Sequence, residues 1–186
     1  MVWAVKPQTF HDAALQAGPH NPNALHLSVA AGIRSDSIAG WLGTERVVRA
    51  MPNTPALIDQ GVTALFARSA VTAADRRVID QLVQTTGSHL WLDAEAQLDA
   101  VTALSGSGPA YVFYFIEAMV QAGVEMGQSP QQVHQLAVGT FAGAAALAQG
   151  SEEAPATLRA RVTSKGGTTH AARQRARELG DEFGAG

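Results

Sequence analysis

Up to Leu92, short apolar runs alternate with amphipathic stretches. Residues 2–5 read as a buried strand, broken by Lys6-Pro7, and residues 9–17 as a helix. Asn23 marks a turn, and residues 25–31 form a second strand ending at Gly32. Residues 35–42 make a short helix closed by Gly43, and residues 46–51 a third strand. This strand–helix–strand–helix–strand order predicts a parallel sheet with helices on its faces. Residues 62–66 are a fourth strand. Thr72 then caps a helix, with Asp75 at the third helical position in a variant of the capping box. Val78, Ile79, Leu82 and Val83 fall on one side of that helix and supply a face for the sheet. Gly87 ends the helix, and residues 90–92 form the last strand.

After Asp93 the strand signals stop and alanine-rich helices take over. Gly108-Pro109 opens a helix to about Met126, apolar on nearly every side except a stripe of Glu117, Gln121 and Glu125. Such a helix needs cover almost all round. Ser129-Pro130-Gln131-Gln132 starts another: a serine cap, proline at the first position and glutamine at the third. That helix carries Gly139 and Gly143 with Ala142 and Ala146 beside them. Small residues one turn apart let two helices come close, either within one chain or between two copies. The fold class is therefore α/β, with a sheet-bearing part over residues 1–94 and an all-helical part over residues 95–186.

Composition narrows the chemistry. With 13 basic and 16 acidic residues the net charge is −3, which gives no general pull toward nucleic acid. Arg159, Arg161, Lys165, Arg173, Arg175 and Arg177 crowd the end, as a solvated helix face or as a partner for an anion. The chain has no cysteine, so disulfides, thiolate catalysis and cysteine zinc sites are excluded, and a reducing cytoplasm fits. No signal peptide opens the chain, and no stretch reads as a membrane span: the nearest, residues 110–126, is interrupted by the Glu117 stripe.

The candidate chemistry sits in five segments. Ala4-Val5-Lys6-Pro7, Ala30-Ala31-Gly32 and Arg49-Ala50-Met51-Pro52-Asn53-Thr54-Pro55 each follow a predicted parallel strand. Ligands of open α/β sheets bind beyond the carboxyl ends of the strands. Small residues there admit a flat cofactor, and Asn53 can meet an amide. Ala103-Leu104-Ser105-Gly106-Ser107-Gly108-Pro109-Ala110-Tyr111 leads into the apolar helix and presents hydroxyls and free N–H groups. Val162-Thr163-Ser164-Lys165-Gly166-Gly167-Thr168-Thr169 is the fifth. Its paired glycines let the backbone approach a ligand, and a helix beginning at Thr168 or Thr169 offers N–H groups to a carboxylate. The same residues also suit an ordinary glycine turn before a helix.

In this order and spacing the five segments resemble pyrroline-5-carboxylate reductases, which catalyse the last step of proline biosynthesis. The likeness runs from residue 2 to about residue 170, with RAMPNTPA and the GGTT loop its most specific parts. It implies a Rossmann-like sheet that binds NADPH, or NADH, followed by an all-α dimerisation domain that makes a homodimer or a larger homo-oligomer. It implies cofactor contacts at Ala4, Val5, Lys6, Pro7, Ala30, Ala31, Gly32, Met51, Pro52 and Asn53. It also implies a substrate site for 1-pyrroline-5-carboxylate at Glu152, Val162, Ser164, Gly166, Gly167, Thr168 and Thr169. The carboxylate would rest on the amides of Gly166, Gly167 and Thr168, and Thr169 would hydrogen-bond the ring nitrogen as the catalytic group. No metal is required.

The chain departs from the family in two places. The family's GxGxxG turn, which cradles the cofactor pyrophosphate in the first strand–helix unit, has no counterpart before the sheet, so the chain reads as starting mid-sheet. Weak or absent NADPH binding by this chain is expected. After His170, residues 171–180 are mostly polar and resemble the tail of the family's last helix. Lys165 stands where the family commonly has proline, as a partner for the substrate carboxylate or as an exposed turn residue. Alternatives are a dimerisation module with impaired catalysis and a related reductase for another small acid, though the latter would lack the GGTT loop.

Overall fold

A run such as Val47-Val48-Arg49-Ala50-Met51 has no polar face, so it must lie inside a sheet covered on both sides. That is its place in the computed structural model, which describes residues 1–163 of the chain. These divide into two compact units, the first being Met1–Tyr114 and the second starting at Phe115.

In the first unit five strands lie side by side in chain order: β1 (Val2–Trp3), β2 (His26–Ser28), β3 (Val47–Met51), β4 (Gly61–Ala67) and β5 (Gly87–Trp91). Helices α1 (Pro7–Ala17) and α2 (Ser35–Leu42) link the first three strands, which run parallel. Helix α3 (Ala73–Val83) links β4 to β5, also parallel. β3 and β4 are antiparallel, so the sheet is mostly rather than wholly parallel. Residues 52–60 are too few for a crossover, which needs about a dozen residues or more. A 3-10 turn, Thr54–Ile58, reverses the chain instead, with Asp59 in the left-handed region at φ 59°.

The core has two faces because side chains alternate across a strand. Val47 packs on one face with Trp3, Phe10, Ala14 and Ile38. Val48 packs on the other with Leu27, Leu65, Ile79 and Val83. Phe10 alone, fully buried, contributes about 1.5–3 kcal/mol. Between β1 and β2 the Trp3 indole N–H donates to His26 Nδ1 at 2.9 Å, which leaves the neutral ring protonated at Nε2. Desolvation holds the pKa of this buried histidine below its ordinary value.

Several boundaries differ from the sequence pattern. Pro7 does not end a strand so much as open α1, where its missing N–H costs nothing. β1 and β2 are therefore shorter than residues 2–5 and 25–31. α2 ends at Gly43, φ 66°, as expected, and Thr72 and Asp75 form the reciprocal capping box of α3. Of the apolar residues predicted for the buried face of α3, only Ile79 and Val83 are buried. Val78 and Leu82, one position earlier in each turn, are rotated out to solvent. Gly87 closes the helical stretch, as expected, by capping the 3-10 turn Gln84–Thr86 that follows α3, and it also starts β5. Its φ of 135° suits glycine alone, and an added Cβ would fall 2.1 Å from the Gly61 carbonyl oxygen.

Helix α4 (Gln97–Val101) continues into a wide π turn, Thr102–Gly106, closed by Ser107 N–H on the Thr102 carbonyl at 2.9 Å. Helix α5 (Gly108–Glu125) follows. Its later part belongs to the second unit with α6 (Pro130–Gln149) and α7 (Pro155–Arg161). α5 stops in a Schellman arrangement: Gln128 N–H bonds the Gly123 carbonyl, Gly127 N–H bonds the Val124 carbonyl, and Gly127 takes φ 91°. Ser129 and Gln132 then cap α6 reciprocally. The two helices meet where Gly123 lies against Val133. Among the described residues nothing lies within 4 Å of a Cβ built at Gly139 or Gly143, and Leu136 and Leu147 are exposed.

Candidate functional site

Parallel strands in register deliver their carboxyl ends to one edge. Trp3 pairs with Ser28 and Ser28 with Arg49, so residues 4–7, 29–32 and 50–53 leave the sheet next to one another. Three of the sequence-predicted cofactor segments therefore share one edge. Lys6 caps α1 with an extended backbone and an exposed side chain, and Pro7 is the first helical residue. Ala30 is buried, and its N–H donates to the Ser28 hydroxyl at 3.2 Å, which sets the turn. Gly32 takes φ 76° and, among the described residues, nothing lies within 4 Å of where its Cβ would be.

Asn53 is held by its own turn. Its Oδ1 accepts from Val62 N–H at 2.9 Å, which leaves Nδ2 as the donor the side chain can present. Gly106 backs onto the Met51 methyl group, so the glycine–serine segment and the Met51–Asn53 turn lie together. Asn53, Pro55, Ser105, Gly108, Pro109, Val112 and Phe113 line an open, largely apolar cleft of about 330 Å³. Its size suits a small ring compound or a nicotinamide. The Ser105 hydroxyl donates back to the Val101 carbonyl at 3.3 Å, so it meets the cleft as an acceptor.

A carboxylate that the sequence pattern did not single out organises the same edge. Glu95 Oε1 accepts from Ser35 N–H and from Arg49 Nη1, both at 2.6 Å, and Oε2 accepts from the Ser35 hydroxyl at 2.6 Å. Burial works against its ionisation. The two Ser35 hydrogen bonds and the Arg49 guanidinium outweigh that and hold its pKa below the ordinary glutamate value. The only signal in the sequence was a cation, Arg49, inside an apolar strand. A buried arginine demands an anion, but nothing local says that the anion is Glu95. A second cleft of about 300 Å³ borders this pair, between Gly32, Arg34, Asp99 and Ala96.

Of the predicted substrate residues, Glu152 and Val162 are described, both in the second unit. Glu152 is exposed between α6 and α7, beside a Glu153 that pairs with Arg161 at 2.6 Å. Val162 is exposed just after α7, and the Thr163 hydroxyl bonds back to the Arg159 carbonyl at 2.7 Å. Ser164, Lys165, Gly166, Gly167, Thr168 and Thr169 lie outside the described residues.

Comparison with known proteins bears on this arrangement. A family profile for pyrroline-5-carboxylate reductase dimerisation matches residues 95–182. The pyrroline-5-carboxylate reductase of Pseudomonas aeruginosa is 49% identical over 174 residues, which are 92% of this chain and 64% of that protein. The structure of a pyrroline-5-carboxylate reductase from Coxiella burnetii superposes with a TM-score of 0.88 at 34% identity, over 98% of this chain and 68% of that one. This chain belongs to the pyrroline-5-carboxylate reductase family. A further family structure, the Plasmodium falciparum pyrroline carboxylate reductase with NADP bound, gives a TM-score of 0.88 at 27% identity, over 98% of this chain and 73% of that one. The chain spans 64% of the length of its Pseudomonas relative. The partial Rossmann-like sheet followed by helices is thus the family's architecture. Among the described residues no helix is long and apolar enough to cross a membrane.

Proposed function

We propose that the chain serves as a pyrroline-5-carboxylate reductase, with a partial NAD(P)-binding sheet over residues 1–94 and a dimerisation and substrate-binding part over residues 95–186. The observation that carries this reading is the convergence of Ala4–Pro7, Ala30–Gly32 and Met51–Asn53 on one sheet edge, with Asn53 also lining the 330 Å³ cleft. NADPH is the assigned cofactor and NADH an acceptable one. The edge fits the nicotinamide end of such a molecule: Gly32 leaves open space, Asn53 Nδ2 is a free donor, and the cleft is apolar. When bound, the reduced nicotinamide supplies a hydride.

The chain's own residues then bind and orient 1-pyrroline-5-carboxylate, whose C=N bond becomes a C–N single bond as carbon takes the hydride and nitrogen a proton. The amides of Gly166, Gly167 and Thr168 hold the carboxylate, with Glu152, Val162 and Ser164 around it. Thr169 hydrogen-bonds the ring nitrogen and favours its protonated form. Holding the imine carbon in register with the nicotinamide supplies most of the acceleration. A homodimer or larger assembly follows from the open face at Gly139 and Gly143 and from the dimerisation profile. The absence of cysteine fits a cytoplasmic setting.

One observation favours a second reading. The dimerisation profile over residues 95–182, together with the exposed Leu136 and Leu147 beside Gly139 and Gly143, also suits a dimerisation module with impaired catalysis. One sample decides between them. NADPH oxidation is followed with pyrroline-5-carboxylate while light scattering sizes the particle. Turnover that falls at least about tenfold in Thr169→Val supports the reductase. A dimer without turnover, and without saturable NADPH binding by calorimetry, supports the module.

A further inference from the structure

We propose that Glu95 is a positioning residue: one carboxylate that clamps the two cofactor-edge loops, residues 30–34 and 50–53, to the segment leading into the π turn beside the cleft. The inference rests on the reductase reading for its ligand and on hydrogen-bond geometry for the clamp. α2 starts at Ser35, and its capping position holds Arg34, which provides no side-chain cap. The first helical N–H would be unpaired in a buried place, since Ser35 is 1% exposed. Glu95, sixty positions along the chain, supplies the missing acceptor.

A serine or aspartate at position 34 would cap the helix locally. The distant carboxylate does something a local cap cannot. Its Oε1 also accepts from Arg49, two residues before Met51, which tethers the Met51–Asn53 turn to the same point. The Ser35 hydroxyl, which donates to Oε2, accepts in turn from Arg68 Nη1 at 3.2 Å, so the end of β4 joins the network. Glu95 itself stands just before α4, and the π turn that follows α4 sets Gly106 against Met51. The sheet edge and the near wall of the cleft are therefore referenced to one group.

The test uses the full chain with Glu95→Gln, which keeps the size but loses the charge and one acceptor, and Ser35→Ala, which removes only the hydroxyl arm. Amide hydrogen exchange is measured alongside NADPH affinity and the separate KM values for NADPH and pyrroline-5-carboxylate. In Glu95→Gln, exchange over residues 33–36 accelerates at least about tenfold while β4 keeps its protection, and the NADPH dissociation constant and KM rise about tenfold with the imine KM little changed. Ser35→Ala moves the same quantities by less. Unchanged exchange at residues 33–36 overturns the clamp. Faster exchange with unaltered NADPH affinity overturns positioning and leaves a structural cap. A wild-type chain that binds no NADPH overturns the proposal as well, whereas one that binds NADPH but reduces no imine sinks the reductase reading alone.

Discussion

Gly123→Ala tests how closely α5 and α6 meet in the second unit. A Cβ at position 123 would stand 2.3 Å from Val133 Cγ1 and 2.8 Å from Cγ2. Carbon atoms prefer about 3.5–4.0 Å, so the helices must part by about 1 Å or Val133 must leave its rotamer. A valine in a helix has one strongly favoured χ1, and Val133 is 6% exposed. Overpacking of this kind costs about 1–3 kcal/mol, toward the upper end for so short a contact. Alanine returns about 1 kcal/mol through its better helix propensity. The net loss is about 1–2 kcal/mol, or a Tm about 2–8 °C lower for a chain of this size. Thermal and urea unfolding at one fixed protein concentration measure it. Introduced into a Val133→Ala background, Gly123→Ala should cost at most half as much as in wild type, because the two methyl groups that clash are gone. A Gly123→Ala protein about 1 kcal/mol more stable than wild type would show propensity acting alone, and the close helix contact would have to be abandoned.

Two further predictions concern the sheet. Gly87→Ala must place a Cβ 2.1 Å from the Gly61 carbonyl at φ 135°, so it should lower stability by about 3 kcal/mol or more and loosen β5 from β4; urea unfolding and amide exchange on β5 report it, and a loss under about 1 kcal/mol would speak against the cross-strand contact. Asp75 is hydrogen-bonded by Arg46 Nη2 at 2.6 Å and by Thr72 N–H, which lower its pKa from 3.8 to about 2. Because the folded value is the depressed one, its stabilisation is present above pH 3.8 and is lost as the pH falls through about 2. The shift corresponds to about 2.4 kcal/mol, and screening of Arg46, whose side chain is 38% exposed, brings it to about 1–2 kcal/mol. Urea midpoints for wild type and Asp75→Asn should converge between pH 4 and pH 2; parallel curves would remove Asp75 from the acid response.

Local rules written into adjacent residues were legible without coordinates. Thr72 with Asp75, and Ser129 with Gln132, satisfy helix-end N–H groups within a single turn, so their outcome does not depend on the rest of the molecule. Gly43 ends α2 for the same reason: only a residue free to enter the left-handed region closes the last turn cheaply. The three strand ends that form the candidate site could also be read, since parallel order follows from alternating strands and helices. The reversal at β4 was within reach too, because residues 52–60 cannot span a crossover.

What needed the folded chain was every pairing between distant positions. Arg49 announces a buried charge, but its partner Glu95 is set by how β3 and the start of α4 come together. The choice of Ile79 and Val83 over Val78 and Leu82 as the buried side of α3 depends on the angle at which that helix meets the sheet. His26, an unremarked strand residue, becomes a buried neutral ring only because Trp3 reaches it across β1 and β2. Sequence by itself determined the capped helix ends at Gly43, Thr72 and Ser129, because caps and glycines act over three or four residues. Tertiary structure alone decided which side chains share a hydrogen bond or a cavity wall, because contacts tens of residues apart are created by chain crossing and register, and periodicity carries no record of them.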